Sequence, residues 1–285
     1  MFRRPAEVVT LPLWCLFILT DADKRVLCAV DVRGVTQLHD VVHVVCWESS
    51  SIVRFNATTL QRLPDINVKG LREPWDIAAC QQTSQLYIPG NPGACIWRVS
   101  ADGADIKRWW SKSESDTFKP WMLSVTSTRL LMTSCSTSKL MQLDAVGNEL
   151  RRVQLPRYME PHHAVESPTG TFIVSHKNTP QLDQYQVSEV NTWGEVLRHF
   201  SGFRLPILGW PSHVTVDSHG NILVADYGNR RILLLDAQLK LRRVIIDEHQ
   251  LNDKKPWYLC YMEHTGQLLV AESRKRVAVF DVLRQ

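Results

Sequence analysis

The chain sets a proline ahead of an apolar run five times: "PWDIAA" from Pro74, "PWMLSV" from Pro120, "PHHAVE" from Pro161, "PSHVTV" from Pro211 and "PWYLCY" from Pro256. Successive prolines stand 46, 41, 50 and 45 residues apart, the period of a four-stranded propeller blade. A polar turn and a β-rich run follow each proline, as in "GTFIVSH", "GNILVAD" and "GQLLVAE". A second run comes about five residues later, as in "QYQVSEV", "RRILLLD" and "KRVAVFD". Gly, Asn, Ser and Asp bound each pair and supply tight-turn geometry. A more polar run such as "LRRVIIDEH" closes most units.

An earlier unit without the proline, "VVHVVCW" and "SSIVRFN" with "LQRLPDINV" outside them, brings the count to six. The expected fold is an all-β, six-bladed β-propeller in a single domain over 1–285. Blades are expected near 31–72, 73–118, 119–159, 160–209, 210–254 and 255–285. The last unit stops after three runs, so a segment from the N-terminus is expected to supply its fourth strand and remove a free sheet edge. Residues 5–32 match the C-terminal unit without gaps, Pro5 on Pro256 and Lys24-Arg25-Val26 on Lys275-Arg276-Val277. Three readings of that segment stay open: a closure strand, a truncated seventh blade or a signal peptide. No amphipathic helix is expected, and "SKSESDTFKP" and "DEHQLNDKKP" read as exposed connectors.

Composition sets wider bounds. A 44% hydrophobic and 22% charged chain has material for a core. A net charge of +4 falls short of a dedicated nucleic-acid domain. Seven cysteines, odd in number and never spaced as C-x-x-C, argue against a disulfide framework and against a zinc ribbon or RING module. They read as buried thiols of a cytoplasmic protein, with no membrane span expected.

The unit "WPSHVTVDSHGNILVADYGNRRILLLDAQLKL" resembles an NHL repeat, and "VAESRKRVAVFD" is the next best match. NHL repeats form six-bladed propellers, and the resemblance implies a recognition module similar to the C-terminal domains of tripartite-motif proteins. Those select protein substrates for ubiquitin transfer or bind RNA. Asp226, Asn229 and Arg231 read as a structural turn clamp: Asp and Asn side chains hydrogen-bond turn backbone and tolerate left-handed geometry, and Arg231 is placed to pair with Asp226.

A metal-dependent lyase with a propeller similar to NHL proteins uses histidines directly after the blade proline as ligands. Here those positions hold Trp75, Trp121, His162, Ser212 and Trp257, with His163 and His213 one residue further on. Strand alternation sends neighbouring positions to opposite faces, which opposes a metal site. Lactonase propellers use carboxylates at the channel mouth, where Asp76 and Glu166 imitate part of the set. The recurring tryptophans suit either inter-blade packing or a binding hot spot. The candidate central face therefore comprises Trp75, Asp76, Trp121, His162, His163, His213 and Trp257. A candidate basic surface comprises Arg242, Arg243, Lys254, Lys255, Arg274 and Lys275. The expected function is non-catalytic protein recognition by a monomer, with no cofactor, metal or DNA. RNA binding is the alternative, and a metal-dependent lyase or lactonase the third reading.

Overall fold

The computed structural model describes residues 31–90, 95–134, 136–179, 184–200, 207–217, 219–262, 265–272 and 276–281. The described chain is all β apart from one short 3-10 turn, Tyr227–Asn229. It forms six antiparallel sheets, each a meander in chain order.

Blade 1 holds β1 (Val32–Leu38), β2 (Val41–Cys46), β3 (Ser51–Asn56) and β4 (Arg62–Asn67). Blade 2 holds β5 (Ala78–Cys80), β6 (Gln85–Gly90), β7 (Cys95–Ser100) and β8 (Ile106–Ser111). Blade 3 holds β9 (Leu123–Thr126), β10 (Arg129–Ser134), β11 (Lys139–Leu143) and β12 (Glu149–Gln154). Blade 4 holds β13 (Met159–Glu166), β14 (Phe172–Asn178), β15 (Gln184–Val190) and β16 (Val196–Phe200). Blade 5 holds β17 (Pro211–Val216), β18 (Ile222–Asp226), β19 (Arg231–Leu235) and β20 (Leu241–Ile246). Blade 6 holds β21 (Pro256–Met262), β22 (Gln267–Glu272) and β23 (Arg276–Asp281), three strands among the described residues. The N-terminal segment expected to complete it, with Cys15 and Cys28, lies outside the described residues, as do Cys135, Arg274 and Lys275.

The first strand of every blade is innermost. Each touches the first strand of the next blade, and β21 returns to β1, so the six sheets close into a propeller around one axis. The first strand lies at the end of its sheet in each case. The middle strands are almost wholly buried and the fourth largely exposed, as "VVHVVC" against "RLPDIN" in blade 1 shows. That gradient explains why outer runs are polar: they bury little apolar area. The core is a set of wedge-shaped clusters between neighbouring sheets.

The turns carry the repeat in their chemistry. Asp217 accepts the N–H groups of His219 and Asn221 at 2.9 and 2.8 Å, with Gly220 at φ 79 between them. Asp144, Asn191 and Asp236 close the turns into the outer strands of blades 3, 4 and 5 with the same pattern. The two connectors expected to be exposed are polar, yet each buries one anchor. Phe118 enters the cluster between blades 2 and 3, and Leu251 that between blades 5 and 6, because the gap at a blade junction needs filling. Cys46, Cys80 and Cys95 are buried free thiols and Cys260 is half-buried. No helix among the described residues is long and apolar enough to cross a membrane.

Candidate functional site

A β-bulge recurs where the inner strands begin. The register slips between Val32 and Gly34, Pro161 and His163, Pro211 and His213, and Pro256 and Tyr258. In blade 3, Trp121 donates to the carbonyl of Thr133, whose own N–H bonds Met122. A bulge sets two residues opposite one and re-aims a side chain. The residue after the marker proline is thus the bulged one in blades 4 to 6, and simple alternation, which the sequence reading relied on, does not hold there. The bulge sorts first and second positions into two layers.

The first layer forms an aromatic end to the axis. Trp75 lies 4.7 Å from Trp47 and 4.2 Å from Trp121, centroid to centroid. The Arg33 guanidinium covers both Trp47 and Trp75, at 4.5 and 4.8 Å, and pairs with Asp31 at 2.7 Å. Across the axis His162 meets Tyr185 and Trp210, and Trp210 meets Tyr227 and Trp257. Trp121 and Tyr227 pack on one cluster with the buried Trp257, which joins the two halves. Trp75 and Trp121 are half-buried and Trp210 is 37% exposed. Of these, the sequence pattern picked out Trp75, Trp121, His162 and Trp257. It missed Trp47, Tyr185, Trp210, Tyr227 and Arg33. Trp210 carried a signal all the same: it precedes the marker proline instead of following it.

The second layer is a belt of polar side chains across the axis. Asp76 accepts the N–H of Leu123 and of Ile77, both at 2.6 Å. His163 donates from Nε2 to the Leu123 carbonyl at 3.1 Å and accepts the Val214 N–H on Nδ1 at 3.4 Å. That pair of partners requires the neutral tautomer protonated on Nε2. His213 stacks on His163 at 3.7 Å and meets Tyr258 at 4.8 Å. Tyr258 donates its hydroxyl to the Trp75 carbonyl at 2.6 Å and closes the circuit back to blade 2. Gly34 completes the layer in blade 1: a Cβ there would stand 2.7 Å from the Ile77 nitrogen, so only glycine lets these strands approach.

Burial sets the protonation states. It pushes His163 and His162 down to about 4 against their backbone hydrogen bonds. It holds His213 well below its ordinary value, with neighbouring His163 adding to the effect. It raises Asp76 to about 7, although the Leu123 and Ile77 amides pull the other way. The imidazoles of the belt are neutral at pH 7.

A metal ion does not fit these residues. Both Asp76 oxygens and both His163 nitrogens are engaged. Glu166 sits at the opposite end of its strand from the mouth, held by Arg129 at 2.8 Å and Gln142 at 2.8 Å. Asp76 and Glu166 are therefore not brought together, and among the described residues no three His, Cys, Asp or Glu side chains are grouped to hold an ion.

The basic residues divide. Arg242, on the outer strand β20 beside Arg243, pairs with Asp236 at 3.2 Å. Lys254 and Lys255 lie in the connector to blade 6, with the Lys255 amine 4.9 Å from the Tyr227 ring at the aromatic end. Asp226 is fully buried and accepts from Arg231, Asn229 and the Gly209 N–H, each at 2.8 Å. Arg231 and Asn229 also donate to the Ile207 carbonyl at 2.8 Å, so the cluster ties the hairpin to the connector entering blade 5. The left-handed residue of that turn is Arg230 (φ 53), not Asn229, because the 3-10 turn ends on it.

No family model and no curated protein sequence matches the chain. Its fold is similar to that of a gluconolactonase from Xanthomonas campestris (TM-score 0.67, 12% identity, 94% of this chain and 95% of that one). A catalytically inactive virginiamycin B lyase from Staphylococcus aureus with quinupristin is also similar (0.61, 14%, 88% and 80%). So is a chain of a nidogen/laminin complex (0.60, 15%, 78% and 82%). At these identities the likeness is one of fold.

Proposed function

We propose that the chain is a recognition propeller that holds a protein partner on the aromatic end of its axis, a role in keeping with its resemblance to NHL repeats. The observation that supports this most is the gathering there of aromatic side chains from all six blades: Trp47, Trp75, Trp121, Tyr185, Trp210 and Trp257. Rigid aromatic area that stays partly open to solvent is what binding hot spots are made of. One neighbour of the fold is itself a chain of a complex between two proteins. Selection of substrates for ubiquitin transfer is the setting that the NHL resemblance suggests.

The test is affinity capture followed by a Kd with the purified captured protein. Trp210→Ala and Trp75→Ala are expected to weaken binding at least tenfold, about 1.4 kcal/mol, and Arg242→Ala to leave it unchanged. Retained affinity in both tryptophan variants, or capture of RNA in place of protein, overturns the reading.

A second reading, a propeller lyase or lactonase, has more support from the fold neighbours than the first. His213, an imidazole on the axis beside His163, is the side chain that favours it. It is checked by following quinupristin and δ-gluconolactone with and without added Mg2+, Ca2+ or Zn2+. Turnover that is lost in His213→Phe establishes an enzyme, and none removes this reading.

A further inference from the structure

On the far side of the belt from the aromatic end lies a cavity of about 500 Å3, within the range of small-molecule sites. The second halves of all six inner strands line it, with His163 and His213 contributing from the belt. Its charged groups are spent on the protein. Glu166 is held by Arg129 and Gln142, and Asp217 by the backbone of its own turn and by Asn221. No Lys or Arg is among the described residues of the wall.

His213 is the exception to this satisfaction. It is 7% exposed, its Nδ1 is buried without a partner, and the ring makes no hydrogen bond to any described residue. A buried polar group without a hydrogen bond is destabilising, and few are left so in native proteins. His163 and Tyr258 pack against the ring and Nδ1 is closed off, which leaves the Nε2 edge towards the cavity. Around it, six strands that pair on one side only turn backbone N–H and C=O groups towards the axis.

We propose that this cavity binds a small uncharged molecule with donors and acceptors of the amide kind, one such group bonded to the open edge of the His213 imidazole. An anion finds no cation in the wall, and a cation finds both carboxylates already engaged. A neutral imidazole, which both donates and accepts, matches a neutral partner. The site is separate from the aromatic end, and its failure would leave that reading untouched.

The experiment follows the imidazole nitrogens of 15N-histidine-labelled protein by NMR during titration with N-acetylglycinamide. N-acetylglycinate and glycinamide serve as probes of similar size carrying opposite charges. The His213 resonances are expected to shift saturably with the amide and at least tenfold more weakly with either ion. His213→Phe, which keeps an aromatic ring, and Thr215→Phe, which narrows the wall, should each weaken binding tenfold or more, while Trp210→Ala should not. Protein-detected amide shifts and near-UV circular dichroism report binding and fold in the variants. If His213→Phe does not fold, Thr215→Phe decides. No saturable shift, meaning a cavity filled by water only, equal binding of the anion, or undiminished binding in a folded variant overturns the proposal.

Discussion

His163 and His213 stack on the axis at 3.7 Å yet differ in what they hold. One has both nitrogens bonded, and the other bonds no described residue through either. Position after the proline made both legible as candidates; their difference was not, because the partners of His163 come from Leu123 and Val214 in the neighbouring blades. The difference has a sign. His43, His162 and His163 are pushed down to about 4 and His176 to about 3, all chiefly by burial. Between the unfolded value of about 6.5 and these folded values the unfolded chain binds more protons, so stability falls as pH drops through that window. Asp76, raised to about 7, keeps its proton when folded and works in the opposite direction between about 4 and 7, offsetting roughly one histidine. The urea midpoint is therefore expected to decline from pH 6.5 to 4.5. His213→Phe should leave stability at pH 7 equal or higher, since no hydrogen bond is lost, and make the pH slope shallower by up to about 1.4 kcal/mol per unit. An unchanged slope in urea titrations would count against a buried, neutral His213.

At the scale of the element, prolines and turn residues were readable because each does its work locally. A proline opens the inner strands β17 and β21 and stands third in β13, next to the bulge, positions where its missing N–H is tolerated. The bulge that follows was not readable. It depends on how six strands crowd one axis, and no single unit contains that information. The clamp lies between these cases: the Asp226–Arg231 spacing is visible in the sequence, but its hold on Ile207 and Gly209 needs the connector to fold back. Asp226→Ala strips partners from Arg231, Asn229 and the Gly209 N–H together and is expected to cost about 3 kcal/mol. Asn229→Ala should cost about 1 kcal/mol. Denaturant unfolding of both variants measures the order, and equal losses would contradict a clamp centred on the buried carboxylate. Glu272 and Arg276 form the corresponding pair in blade 6.

At the scale of the molecule, the period of 41 to 50 residues was enough to count blades, since a ring follows once each unit has its inner strand. Ligand chemistry was not legible. Both ends of the axis are assembled from residues some 45 positions apart, and the belt links positions as distant as Trp75 and Tyr258. Tyr258→Phe removes the hydroxyl bonded to the Trp75 carbonyl and should cost about 1–2 kcal/mol. Thermal and urea unfolding followed by tryptophan emission measure it. A neutral substitution would mean that blades 2 and 6 do not rely on this brace.

The belt also decides what kind of object the propeller is. A ring of six sheets left open along its axis would be a pipe, and anything entering one end would share the space with whatever entered the other. With Asp76, His163, His213 and Tyr258 laid across it, the axis becomes two cups set base to base. Two occupants on opposite sides never meet. Whatever one tells the other has to pass through the common floor, where His213 touches the ring of Tyr258 and the Tyr258 hydroxyl bonds the carbonyl of Trp75.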